Sequence, residues 1–127
     1  MIIGLGTDIV QIARMEKLLQ RFDKRFMERC FTKGEQEKGG TNVRFYAKRF
    51  AAKEACAKAL GTGIAGGILF REIEVVNANS GQPSLVLHGK ALERLQAITP
   101  PNRKITTHLT LSDEKEQALA VVVIDAE

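Results

Sequence analysis

The sequence is poor in several residue types, and each scarcity removes a class of protein. It holds two cysteines, two histidines and no tryptophan, and aromatic residues make up only 6% of the 127 positions. Cys30 and Cys56 sit in separate predicted segments and form no metal-like pair, so they read as buried free thiols rather than a disulfide framework. No apolar run approaches the roughly 20 residues needed to span a bilayer. Met1 to Val10 is interrupted by Gly4, Gly6 and Asp8 and has no basic leader, so no targeting segment and no membrane partner are expected, and the cytoplasm is the expected location. Scarce aromatics and the lack of a recognition motif fit poorly with a non-enzymatic nucleic-acid-binding domain, the alternative that the basic first half would otherwise suggest.

With 44% hydrophobic residues, the chain is long enough for one ordinary core and too short to divide comfortably, so a single domain over residues 1–127 is expected. The formal net charge is +4, and its placement matters more than its size. Arg14, Lys17, Arg21, Lys24, Arg25 and Arg29 outnumber the acids between Gln11 and Cys30, and Arg44, Lys48, Arg49, Lys53 and Lys58 face Glu54 alone between Thr41 and Lys58. Positive potential concentrated in this half attracts phosphates or an acidic macromolecule.

Ile2 to Val10 is rich in β-branched residues and reads as a strand whose glycines let another backbone or a ligand come close. Ile12, Met15, Leu18, Leu19, Phe22 and Phe26 then recur at three- and four-residue spacing, the pattern of an amphipathic helix. Arg14, Arg21 and Arg25 share another face of it as a basic stripe. Thr32-Lys33-Gly34-Glu35 has capping-box spacing and starts a short helix that stops at Gly39-Gly40, in a glycine-rich stretch, 34–42, expected to be mobile or locally unlike related chains. Asn42 caps a longer helix to about Leu60, thinned by Ala51, Ala52, Ala55, Ala57 and Ala59 and ended by Gly61 and Gly63. A hairpin from Ile73 to Leu87, a helix from Gly89 to Ile98 and two last strands complete an α+β pattern: a small, mainly antiparallel sheet packed on the long helix.

Several residues have both a chemical and a structural reading. Asp8 could cap the following helix or bind a metal; magnesium needs only one or two protein carboxylates, because water and phosphate oxygens fill the rest of its shell. Glu54 could form an i,i+4 ion pair with Lys58 or join Asp8 across a cleft, with Lys58 beside the same site. Arg49 and Lys53, one turn apart, could hold phosphates. Gly61, Thr62 and Gly63 could be a plain helix stop.

Phe50-Ala51-Ala52-Lys53-Glu54-Ala55-Cys56-Ala57-Lys58-Ala59-Leu60-Gly61-Thr62-Gly63 resembles the signature of the bacterial holo-(acyl-carrier-protein) synthases, within the phosphopantetheinyl transferase superfamily. Ile3-Gly4-Leu5-Gly6-Thr7-Asp8-Ile9-Val10 is similar to that family's other signature, in its usual place. The resemblance implies the 4′-phosphopantetheinyl transferase fold and a magnesium-dependent enzyme. Such an enzyme moves 4′-phosphopantetheine from coenzyme A to a serine of apo acyl carrier protein, leaving 3′,5′-ADP, in fatty acid biosynthesis. It implies Asp8, Glu54 and Lys58 as catalytic residues, Asp8 and Glu54 as the metal ligands, and Lys58 at the transferred phosphate, in phosphate stabilisation first and as the base for the serine second. Arg49, Lys53, Gly61, Thr62 and Gly63 then become contacts for coenzyme A, the glycines by letting backbone amides approach, and Arg14, Arg21 and Arg25 a docking stripe for the acidic carrier protein. It also implies a homotrimer with the active site between subunits. One departure stands out: the family commonly ends its late motif with histidine, where this chain has Asp113 after Ser112. His88 and His108 read as structural.

Overall fold

The computed structural model describes residues 1–127, apart from the side chains of Phe22, Asp23 and Ala65. The chain runs β1 (Ile2–Gln11), α1 (Ile12–Cys30), α2 (Lys33–Gly39), α3 (Val43–Ala59), β2 (Ile73–Asn77), β3 (Pro83–Leu87), α4 (Gly89–Ile98), β4 (Ile105–Asp113) and β5 (Gln117–Ala126). Two short 3-10 turns, Ile64–Gly66 and Phe70–Glu72, lie between α3 and β2. Strands β1, β5 and β4 form an antiparallel sheet in that order, and β2 pairs with β3 as a separate hairpin.

Local chemistry sets these boundaries. Asn42 accepts a hydrogen bond from the Phe45 amide at the start of α3, and Thr32 and Glu35 close the expected capping box on α2. Helix α1 buries Ile12 and Met15 and packs Leu18, Leu19, Phe26 and Met27 against the core; Phe22, expected on the same face, lies outside the described side chains.

Helix α3 lies against the sheet, and its thinness decides how closely. Gly4, Gly6, Asp8 and Val10 of β1 face it, in register with Ile124, Val122, Ala120 and Ala118 of β5, and these four β5 residues are fully buried. A Cβ on Gly6 would collide with the Ala55 carbonyl, and one on Gly4 with the Ala59 carbonyl, so only glycine permits this contact between backbones. The glycines therefore admit the helix, as the sequence pattern anticipated. The opposite face of the sheet exposes Leu5, Ile9 and Leu119.

The stretch 34–42 is anchored rather than loose. Glu35 is 2% exposed and reaches under α3, while the Tyr46 hydroxyl donates to the Gly40 carbonyl at 2.8 Å. No helix among the described residues is long and apolar enough to cross a membrane.

Candidate active site

Asp8 follows Gly4 and Gly6 on the face of β1 that meets α3, opposite the small Ala120. It does not cap α1, whose N-cap is Gln11 without a side-chain hydrogen bond. Instead Lys58, one turn from the end of α3, donates from Nζ to Asp8 Oδ1 at 3.1 Å and to the Thr7 carbonyl at 2.9 Å. An ammonium has three hydrogens, so this geometry leaves one for a substrate oxygen.

Glu54 lies one turn before Lys58 on the same side of α3 and is half-buried. Burial first, and then the charge of Asp8, push its carboxyl above the ordinary value; Lys58 and Arg14 pull it down. The two carboxylates therefore sense each other across the seam, and Lys58 bonds to Asp8 rather than completing the surface ion pair with Glu54. Paired carboxylates in a partly dry seam fit a hard divalent cation whose shell is completed by water and phosphate oxygens. Among the described residues no cluster of three or more His, Cys, Asp or Glu offers a denser ligand set. Arg14 belongs to this electrostatic setting as well as to the exposed face of α1 that carries Arg21 and Arg25.

Lys53 corrects an expectation. It is 0% exposed, and its ammonium donates to Glu35 Oε1 at 2.7 Å, the Ile73 carbonyl at 2.6 Å and the Phe70 carbonyl at 3.1 Å. All three of its hydrogens are committed inside the core, which rules out a phosphate contact. Burial lowers the affinity of Lys53 for its proton and Glu35 opposes that effect. No spacing signal in the sequence links Glu35 to Lys53; the fold alone makes them partners.

Arg49 is also buried, with its guanidinium over the Phe45 ring and Nη2 donating to Asn77 Oδ1 in the β2–β3 hairpin. Five residues separate it from Glu54, about 140° around the helix, so it serves a different face. Its Nε has no partner among the described residues.

The Gly61-Thr62-Gly63 segment departs from expectation in a more specific way. The Gly61 amide donates to the Lys58 carbonyl, and those of Thr62 and Gly63 to the Ala57 carbonyl. These amides close the end of α3 and are not offered to a ligand. Gly61 and Gly63 have φ of 82° and 62°, the conformation that lets the chain turn back so tightly.

At the last turn of the sheet, Asp113 pairs with Arg44 at 3.0 Å and Lys48 at 3.4 Å, while Arg44 also donates to the Glu114 and Lys115 carbonyls. The aspartate thus ties the β4–β5 turn to the start of α3. His88 pairs with Glu74 at 3.0 Å, in keeping with a structural role, and His108 is exposed on β4.

The sequence profile of the 4′-phosphopantetheinyl transferase superfamily matches residues 4–121, which include the whole β1–α3 seam. The chain belongs to this superfamily. It is 51% identical to the holo-[acyl-carrier-protein] synthase of Methylorubrum populi, over 99% of this chain and 95% of that one. Identity to the corresponding protein of Beijerinckia indica is 52%, over 99% and 92%. The holo-[acyl-carrier-protein] synthase of Neisseria meningitidis superposes with a TM-score of 0.83 at 39% identity, covering 98% of this chain and 99% of that one. The Helicobacter pylori protein in complex with coenzyme A gives a TM-score of 0.83 at 32% identity, covering 95% and 99%. Membership of the transferase superfamily leaves the nucleic-acid-binding reading without support.

Proposed function

We propose that this protein, acting as one domain over residues 1–127, transfers 4′-phosphopantetheine from coenzyme A to a serine of apo acyl carrier protein and releases 3′,5′-ADP. The observation that carries the reading is the meeting of Asp8, Glu54 and Lys58 where β1 crosses α3. The serine oxygen forms a bond to the β-phosphorus of coenzyme A as the bond to the 3′,5′-ADP oxygen breaks.

Asp8 and Glu54 would hold a magnesium ion, which when bound offsets charge on the diphosphate oxygens. Lys58 is fixed by Asp8 and the Thr7 carbonyl, so its third N–H is aimed rather than free to wander, and it stabilises a phosphoryl oxygen. Arg49 is a candidate for a coenzyme A phosphate, although its unpartnered Nε is buried in the free protein, so the contact would require the side chain to move. Gly61, Thr62 and Gly63 contribute close approach rather than amide donors.

Arg14, Arg21 and Arg25 on the exposed face of α1 supply the docking stripe for an acidic carrier protein, an attraction that speeds encounter and weakens with salt. A homotrimer would cover the sheet face that exposes Leu5, Ile9 and Leu119. The cytoplasm is the setting in which this substrate pair would meet.

Intact-mass spectrometry of apo acyl carrier protein incubated with this protein, coenzyme A and magnesium tests the proposal. The carrier should gain about 340 Da, the mass of one phosphopantetheine from its composition, and the gain should require both the metal and Glu54. Absence of the gain with several carrier proteins would sink the proposed activity.

A further inference from the structure

Helix α1, which carries the basic stripe, begins without a cap of its own. Its N-cap, Gln11, makes no side-chain hydrogen bond, and no acid stands in its first turn. The first amides of a helix lack partners within it, and here the Ile12 amide donates to the Glu116 carbonyl at 2.9 Å, in the β4–β5 turn. A cavity of about 400 Å³, lined by Ala13, Glu16, Arg44 and Lys115 among others, lies where the start of α1, the start of α3 and this turn meet. On this side the start of α1 is therefore held by hydrogen bonding rather than by packing.

The turn is itself held from α3. Arg44 donates from Nη1 to Asp113 Oδ2 at 3.0 Å and to the Glu114 carbonyl at 2.7 Å, and from Nη2 to the Lys115 carbonyl at 2.8 Å. Lys48, one helical turn on, reaches the other oxygen of Asp113 at 3.4 Å. Three consecutive residues of the turn are thus fixed to α3, and the next, Glu116, holds α1. Arg44 stands in the first turn of α3, where the helix dipole disfavours a cation, and the Asp113 carboxylate offsets that charge. Glu54 lies about 15 Å further along the same helix. Towards its other end α1 meets α3 directly, with the rings of Phe26 and Phe50 6.2 Å apart. The near end of α1 is therefore set relative to Glu54 and Lys58 through Arg44, and the far end by ring packing.

We propose that Arg44 and Asp113 are positioning residues, a clamp that fixes the start of α1 and so sets where its carrier-docking face delivers the acceptor serine relative to Glu54 and Lys58. The inference rests on the transferase reading and the docking stripe above. Among the described residues neither is bonded to Asp8, Glu54 or Lys58, so both act through α1. Where the family commonly has histidine, Asp113 gives this chain an acid that accepts from Arg44 and Lys48 at once. Displacing a reacting group by about 1 Å costs up to about 100-fold in rate, so a small shift of the docking helix is felt in the transfer step even where the carrier binds as tightly as before.

Single-turnover transfer by the full chain with coenzyme A, magnesium and apo acyl carrier protein tests it in wild type, Arg44→Gln, Arg44→Lys, Asp113→Ala and the double variant Arg44→Gln/Asp113→Ala. Binding is measured by calorimetric titration with a carrier whose acceptor serine is replaced by alanine. The transfer rate should fall about five- to tenfold in Arg44→Gln, less in Arg44→Lys and Asp113→Ala, and no further in the double variant than in Arg44→Gln, because the two residues act as one unit. Affinity for the carrier and for coenzyme A should stay within about twofold of wild type, with the salt dependence of carrier binding unchanged. In hydrogen exchange the Ile12 amide should lose protection in Arg44→Gln while amides in the middle of α3 keep theirs. Arg44→Lys keeps the charge but not the fork, so it decides the matter where Arg44→Gln fails to fold. Transfer rates within about twofold of wild type in Arg44→Gln and Asp113→Ala overturn the clamp alone. So does carrier affinity that falls in Arg44→Gln and rises in Asp113→Ala with the saturated rate unchanged, since that is the pattern of simple charge attraction. A wild-type protein that transfers nothing removes the transferase reading and the clamp with it.

Discussion

Replacing Lys53 by methionine keeps the length of the side chain and removes its charge. In the native protein the ammonium satisfies Glu35, Phe70 and Ile73 at once, from a position with no solvent access. Without it, the Glu35 carboxylate still accepts from the Thr32 and Val75 amides but faces the core with no countercharge, and two carbonyls lose a donor. Breaking one side of a buried ion pair costs about 3–5 kcal/mol, a large part of the roughly 5–15 kcal/mol that holds a domain together. Urea unfolding followed by far-ultraviolet circular dichroism should show that loss. Adding Glu35→Gln removes the stranded charge, so the double variant should be less destabilised than the sum of the two by about 1–3 kcal/mol. A Lys53→Met protein within about 1 kcal/mol of wild type would refute the argument, since surface substitutions already fall in that range. So would a protein of unchanged stability whose KM for coenzyme A rises, because that result would return Lys53 to the phosphate site.

Other consequences follow from the same geometry. In metal-free protein the raised pKa of Glu54 means that its ionised form opposes folding. The penalty is fully present above the raised value and disappears as pH falls below the ordinary value of 4.5. Glu54→Gln should therefore be more stable than wild type at pH 7 in chelator, the gap closing by about pH 4 in thermal melts; a pH-independent gap would contradict it. Gly6→Ala forces β1 away from the Ala55 carbonyl and should cost about 1–3 kcal/mol or more, with activity falling further than stability because Asp8 moves too. Comparison of melting temperature with transferase rate separates the two effects. Burial pushes the Cys30 thiol up to about 11 and the Cys56 thiol up to about 12, so neither should react with iodoacetamide at pH 8 until denaturant is added; mass spectrometry counts the adducts.

Much of the fold was legible because its signals are local. Thr32 with Glu35, Asn42 before Phe45, the three- and four-residue recurrence along α1 and the glycines after Leu60 each act within a few residues, and the structure places helix ends where they predict. The two motifs also placed Asp8, Glu54 and Lys58 together, since a glycine-bearing strand and an alanine-lined helix have complementary surfaces. The fate of the other charges lay beyond local reach. Helical spacing puts Arg49 and Lys53 on definite faces of α3, but not what covers those faces. Tertiary structure brought Glu35 and the carbonyls of β2 over Lys53 and the β2–β3 hairpin over Arg49. It likewise turned the loop amides back onto α3 and set the β4–β5 turn against Arg44. Pairing across 18 to 40 residues depends on how whole elements stack, and a charge tells only that it needs a partner or water, not which the fold will supply.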